Sequence, residues 1–351
     1  MESICTHQDT STLLPMWIAP NLITLAGLLC QVTATLLMLY YVPDLRGRAP
    51  AWVYLSNSVS VFAYQTLDGL DGKQARRTGS SSPLGQLFDH GCDALSVPLL
   101  MICAAGAANL GSGVRPMVAQ ALVMLPWVIG NWEEYHTGVL NVGNGWIGVT
   151  EGQFGLVILH LISAWRGPDI WQTPTRLLGI LPTPYPVVDI IMVGFAVVSI
   201  IGTGFEIMKV MVMKCPLGKE DVGNKEIKKV DAIAHLTPFL SIIVMGLLWS
   251  AYGSSNIHPF LLLSSIGALF AWNALEMVVA HCAKEPFIPS YWPHFLLAAC
   301  AFNSCYLGLY TELVEYLVMS LMIFFYLRFV FGVVNQLTSY LNIKCLTIPS
   351  T

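Results

Sequence analysis

The chain has 351 residues, of which 55% are hydrophobic and only 11% charged, with a formal net charge of −4. A mean hydropathy of +0.64 excludes an ordinary water-soluble domain, and the slightly acidic balance lacks the basic excess a nucleic-acid partner requires. The nine cysteines lie mostly inside apolar runs and form no Cys-x-x-Cys pair, which argues against a disulfide framework or a zinc site.

About 20 apolar residues make a membrane-spanning helix. Ten such stretches are expected, at 21–42, 51–70, 84–108, 115–136, 149–165, 185–213, 231–252, 258–282, 291–310 and 313–342, the last containing Arg328. They predict an all-α polytopic membrane protein, a single transmembrane domain over residues 1–351 with no short-period repeat. Ahead of the first stretch, Met1 to Thr12 is polar and lacks the basic start of a cleavable signal, so the first apolar helix is expected to direct insertion. The segment 166–184 carries four prolines with Gly167 and Gly179 and reads as an irregular crossing between the fifth and sixth helices. The charged loop 214–230 reads as a solvated segment drawn to anionic headgroups. With the loop 73–82 placed in the cytosol, Lys and Arg number 11 on that side and 5 on the other. That bias puts both termini and the 73–82 loop on the cytosolic face.

The chemistry concentrates in residues 68–93. Asp68 and Asp71 stand three residues apart, and Asp89 and Asp93 four, so each pair shares one face of a helix. Two such faces turned together form a cage of four hard carboxylate ligands. That suits Mg²⁺ or Mn²⁺, and two such ions about 4 Å apart are a recurrent device for phosphoryl transfer. Gly72, Ala75 and Gly85, at helical spacing from the acids, leave room for a ligand against the backbone, and Arg76 offers a planar cation for phosphate. A solvated charged loop would explain Lys73, Arg76 and Arg77, but not Asp89 and Asp93 inside an apolar run.

The pattern Asp68-x2-Asp71-Gly72-x2-Ala75-Arg76-x8-Gly85-x3-Asp89-x3-Asp93 resembles the motif of the CDP-alcohol phosphotransferase family at all eight fixed positions. The flanking text is similar to eukaryotic choline and ethanolamine phosphotransferases. So are Trp17-Ile18-Ala19-Pro20-Asn21-Leu22-Ile23-Thr24, Val149-Thr150-Glu151 and Val278-Val279-Ala280-His281. The resemblance implies a catalytic bundle made by roughly the first six helices. It implies transfer of phosphocholine or phosphoethanolamine from CDP-choline or CDP-ethanolamine to diacylglycerol, with loss of CMP. Two Mg²⁺ (or Mn²⁺) ions held by Asp68, Asp71, Asp89 and Asp93 are implied, with Asp93 alternatively a base. A homodimer in the endoplasmic reticulum or Golgi membrane, its active site facing the cytosol and its acceptor entering from the lipid bilayer, completes the expectation.

Other polar residues stay open. Asn21 either caps the first helix or lies beside the nucleotide diphosphate. Glu151 either answers the helix dipole or, with Glu134 and His136, deprotonates or orients the acceptor. His281 reads as packing or catalysis, and His90 as a hydrogen bond across the bundle. Departures from close relatives are a shorter segment ahead of Trp17 (16 residues), Asn131 in place of His, and Gln86 in place of Glu. Two rivals are weighed. Synthases that use CDP-diacylglycerol are usually shorter, with about six helices. A transporter predicts repeat symmetry and broken helices in corresponding halves, and neither is found in the sequence.

Overall fold

A computed structural model describes residues 14–138, 148–176, 183–212, 229–253 and 258–348. Met1 to Thr12, most of the loop between the fourth and fifth helices, Gly179 and nearly all of the charged 214–230 loop lie outside them. The helices are α1 (Pro20–Tyr41), α2 (Ala51–Thr78), α3 (Pro83–Ala107), α4 (Val114–Thr137), α5 (Val149–Arg166), α6 (Val187–Val212), α7 (Lys229–Ala234), α8 (Thr237–Tyr252), α9 (Pro259–Ala283), α10 (Trp292–Phe302) and α11 (Thr311–Leu341). Among the described residues the only strands are β1 (Pro174–Thr175) and β2 (Tyr185–Pro186), paired antiparallel within the proline-rich 166–184 crossing and its edge.

Every expected span has a helical counterpart, so the all-α class holds. Six of them are long and apolar enough to cross a membrane: α1, α3, α6, the α7–α8 pair, α9 and α11. Polar and charged residues interrupt α2, α4 and α5, and α10 has only 11 residues, so these four fall short of that test.

Two expected helices are broken. The 231–252 span divides at Pro238, whose ring nitrogen cannot donate to the carbonyl of Ala234; the Thr237 hydroxyl donates to that carbonyl instead, at 2.7 Å. The 291–310 span loosens into a π-helical turn at Asn303–Leu307. Gly308 ends it at φ +65°, and the Asn303 amide exchanges hydrogen bonds with the backbone of Leu309.

Only residues 79–82 of the 73–82 segment form a loop. No breaker occurs before Gly79, so α2 runs on to Thr78 through good helix formers. Gly79 adopts φ +65°, and Ser80 N donates to Ala75 O at 2.9 Å, which closes the helix in a Schellman turn. Ser82 then caps α3 by accepting from Gly85 N at 3.2 Å, with Pro83 at the first helical position. Four residues thus join two antiparallel helices, which fixes the register of the acidic pairs.

Lipid removes the hydrophobic drive between helices, so close packing has to supply it. Glycines mark the tight crossings. A Cβ on Gly267 of α9 would sit 2.4 Å from the Pro98 Cβ of α3, and one on Gly106 of α3 would sit 2.9 Å from Met38 Sδ of α1. Accordingly α3 and α9 are central, 72% and 78% buried over their most apolar stretch, whereas α6 and α11 are each 17% buried and present their sides outward. At the bundle end opposite the acidic motif, Arg48 pairs with Asp169 at 2.7 Å and Arg115 with Asp189 at 2.6 Å.

Candidate active site

Antiparallel α2 and α3 bring the acids of residues 68–93 together. Carboxylate oxygens of Asp68, Asp71 and Asp89 all lie within 4.8 Å of one another. Asp71 is buried and accepts from the hydroxyl of Thr24 on α1. Oδ1 of Asp68 and Oδ1 of Asp89 are buried without a hydrogen-bond partner among the described residues. None of the three pairs with a Lys or Arg among the described residues. Buried acceptor oxygens left unpaired are costly, and three hard oxygen donors at this spacing are the ligand set that Mg²⁺ or Mn²⁺ prefers. The residues therefore fit a divalent cation.

Asp93 stands apart from this trio. One turn deeper along α3, its Oδ1 accepts from the Tyr64 hydroxyl at 2.6 Å. The site is layered: three carboxylates toward the helix ends, and the Asp93–Tyr64 pair toward the membrane centre.

A second polar cluster adjoins the first. Glu134, near the end of α4, accepts from Gln86 Nε2 at 3.2 Å. Its carboxylate also lies 4.0 Å from His90 Nδ1 and 3.8 Å from His281 Nε2. His90 directly follows Asp89, so the cluster backs onto the carboxylate trio. His281 comes from α9, which adds a later helix to the first six expected around the site. The sequence analysis grouped Glu134 with His136 and Glu151 instead; residues as far apart in the chain as Gln86 and His281 meet here, and no local spacing records that.

Around the trio the space is open. A Cβ on Gly72 would meet only Arg76 Nη1, at 3.6 Å, and one on Gly85 would meet Ser82 Oγ at 3.7 Å and Asn21 Oδ1 at 3.8 Å. Ala75 is half-buried on the same side of α2, and Arg76 is exposed without an ion pair among the described residues. Asn21 does not cap α1: Ala19 occupies the cap position and no side chain caps it. The Asn21 amide instead donates to Cys345 O at 2.9 Å, in the segment following α11.

The family model for CDP-alcohol phosphatidyltransferases matches residues 17–134, from the start of α1 to the cluster at Glu134. An uncharacterised class-I member of that family from Dictyostelium discoideum is 33% identical over 95% of this chain and 88% of its own length. The chain belongs to the CDP-alcohol phosphatidyltransferase family. Cholinephosphotransferase 1 of Danio rerio is 30% identical over 95% of this chain and 86% of the relative. That of Rattus norvegicus is 35% identical over 78% of this chain and 66% of the relative. As a member of this family the chain is a CDP-alcohol phosphotransferase of phospholipid synthesis.

Within this family framework, two residues expected to activate the acceptor have other contacts. Glu151 is exposed and accepts from Gly148 N at 2.8 Å, closing the first turn of α5. The buried His136 ring stacks on His235 of the α7–α8 linker, centroids 5.3 Å apart and planes 15° from parallel. Asn131 donates to Trp127 O at 2.9 Å within α4.

Proposed function

We propose that the chain transfers phosphocholine and/or phosphoethanolamine from CDP-choline or CDP-ethanolamine to diacylglycerol, releasing CMP and forming phosphatidylcholine or phosphatidylethanolamine. The observation that carries this reading is the trio Asp68, Asp71 and Asp89, with two buried unpaired oxygens, beside open space at Gly72 and Gly85.

In this proposal Asp68, Asp71 and Asp89 hold two divalent ions, and Asp93 adds the oxygen that Tyr64 does not engage. When bound, the ions neutralise charge on the donor's diphosphate. Asn21, Gly72, Ala75 and Gly85 form the nucleotide wall, and Arg76 forks onto phosphate. The acceptor oxygen bonds to the β-phosphorus, the bond from that phosphorus to the bridging oxygen breaks, and CMP departs with that oxygen. The protein aligns the two reactants and supplies a group for the hydroxyl proton. His90, whose Nδ1 lies 4.0 Å from Glu134 and which directly follows Asp89, suits that task better than His136 or Glu151, whose observed contacts are of another kind.

We place the site at the cytosolic face of the endoplasmic reticulum or Golgi membrane, in a homodimer. The soluble donor then arrives from water and diacylglycerol from the bilayer. Product analysis tests the reading: purified protein in lipid–detergent micelles receives diacylglycerol with CDP-choline and CDP-ethanolamine side by side. One CMP per phospholipid is expected, and absence of any CMP release from both donors contradicts it.

A further inference from the structure

We infer that Gln65 is a positioning residue for the lipid acceptor, its side-chain carbonyl accepting the hydrogen bond of the acceptor hydroxyl. The inference rests on the transferase reading and names how that site receives its second substrate.

Gln65 lies on α2 three residues before Asp68, about 4.5 Å deeper along the helix axis and about 60° around it. It falls within about 20° of Gly72, the residue at the open wall. It therefore belongs to the deeper layer of the site, level with Tyr64, whose hydroxyl is committed to Asp93. The next residue, Thr66, is satisfied by Phe62 O at 2.7 Å. Gln65 Oε1 is different: it is buried, and no donor among the described residues reaches it. A buried carbonyl without a donor is costly, so an unpaired one beside a substrate site marks where a substrate donor belongs.

The chemistry of the two substrates narrows the partner. Phosphate oxygens accept and cannot donate to a carbonyl, and a quaternary ammonium carries no N–H. The proposed nucleotide contacts at Asn21, Gly85 and Arg76 all lie toward the helix ends, on the other side of the carboxylate trio. A diacylglycerol approaching within the bilayer reaches the deeper layer first, and its free hydroxyl is a donor. The carbonyl of Gln65 would hold that hydroxyl while the lipid waits for the donor; for transfer its single hydrogen turns to the base proposed above, His90, and the oxygen bonds to phosphorus. The ribose hydroxyls and cytosine amino group also donate, but the proposed nucleotide contacts place them toward the helix ends; an ethanolamine ammonium is the remaining donor at this depth, and the experiment separates it.

Full-length protein in nanodiscs is titrated, without CDP-alcohol, with diacylglycerol and with its 3-deoxy analogue, each displacing a fluorescent diacylglycerol. The wild type is expected to prefer the hydroxylated lipid by about five- to tenfold, the span of one hydrogen bond to a buried acceptor. Gln65→Met keeps the side-chain length but has no carbonyl, and it should bind the two lipids within twofold of each other. Gln65→Glu keeps an acceptor oxygen and should retain the preference. KM values for CDP-choline and CDP-ethanolamine should stay within twofold in Gln65→Met, while the acceptor KM rises. A hydroxyl preference that survives in Gln65→Met overturns the inference, as does its absence in the wild type. A rise confined to the CDP-ethanolamine KM also overturns it, since Gln65 would then face the donor. Because the displacement assay needs no turnover, its outcome is independent of whether CMP is released.

Discussion

The two ends of the bundle handle charge in opposite ways. At the end built from the α1–α2 turn and the 168–172 segment, opposite charges pair: Arg48 meets Asp169 at 2.7 Å, and Arg115 meets Asp189 at 2.6 Å. At the other end three carboxylates crowd within 4.8 Å without a Lys or Arg ion pair among the described residues, and two of their oxygens are buried and unpaired there. In the first arrangement these acids are matched by cations. The second is electrostatically unfinished, and a structure keeps such a cluster near the membrane only if a ligand completes it. The contrast teaches that charge count alone does not locate function; the state of pairing does.

The largest effect that can break this contrast is expected from Asp89→Asn. Losing a carboxylate of the trio should lower turnover by at least about 10³-fold, in line with loss of preorganised charge stabilisation. The thermal midpoint should hold or rise, because like charges have been separated. A normal rate with a lowered midpoint would make the trio structural. Glu134→Gln should come next. It should reduce kcat by about 10²-fold, the low end for a general acid–base contribution, with the donor KM within about twofold of wild type. Steady-state kinetics with both substrates varied reads this directly.

Ala75→Leu should act more mildly and on binding. A larger side chain on the open wall of α2 should raise the donor KM about tenfold while leaving the carboxylates in place. Arg76→Lys, which keeps charge but loses the planar fork, should fall between Ala75→Leu and wild type. The smallest effect belongs to the finished end. Arg115→Ala removes a partly exposed ion pair, so activity should not change and stability should fall by no more than about 1 kcal/mol in a denaturation assay. A large loss of activity there would erase the distinction between the two ends.

Much of this was legible before any coordinates. Apolar runs revealed the helical counterparts, and spacing put Asp68 with Asp71, and Asp89 with Asp93, on one face of a helix each, because periodicity and helix geometry are local properties. Breaks at Pro238 and after Phe302 depend on which carbonyl finds a substitute donor. The tail of α2 looked like a loop because charge was taken for solvation, although nothing before Gly79 stops a helix. Non-local meetings were the least visible: Thr24 with Asp71, Tyr64 with Asp93, and Glu134 with His90 and His281. These depend on the packing of α1, α4 and α9 about α3, which crossings such as Gly267 against Pro98 determine. Glu151 and His136 show the converse, since chemically apt residues near the motif have contacts of a different kind.

The central claim is that the trio holds divalent cations required for transfer. Metal-stripped protein should be titrated with Mn²⁺ and followed by electron paramagnetic resonance, alongside Asp89→Asn, with activity recorded in the same samples. The account predicts saturable Mn²⁺ binding in the wild type, loss of binding in Asp89→Asn, and activity that is absent in chelator and returns in step with the bound metal. Full transfer of phosphocholine or phosphoethanolamine in the presence of chelator would contradict it.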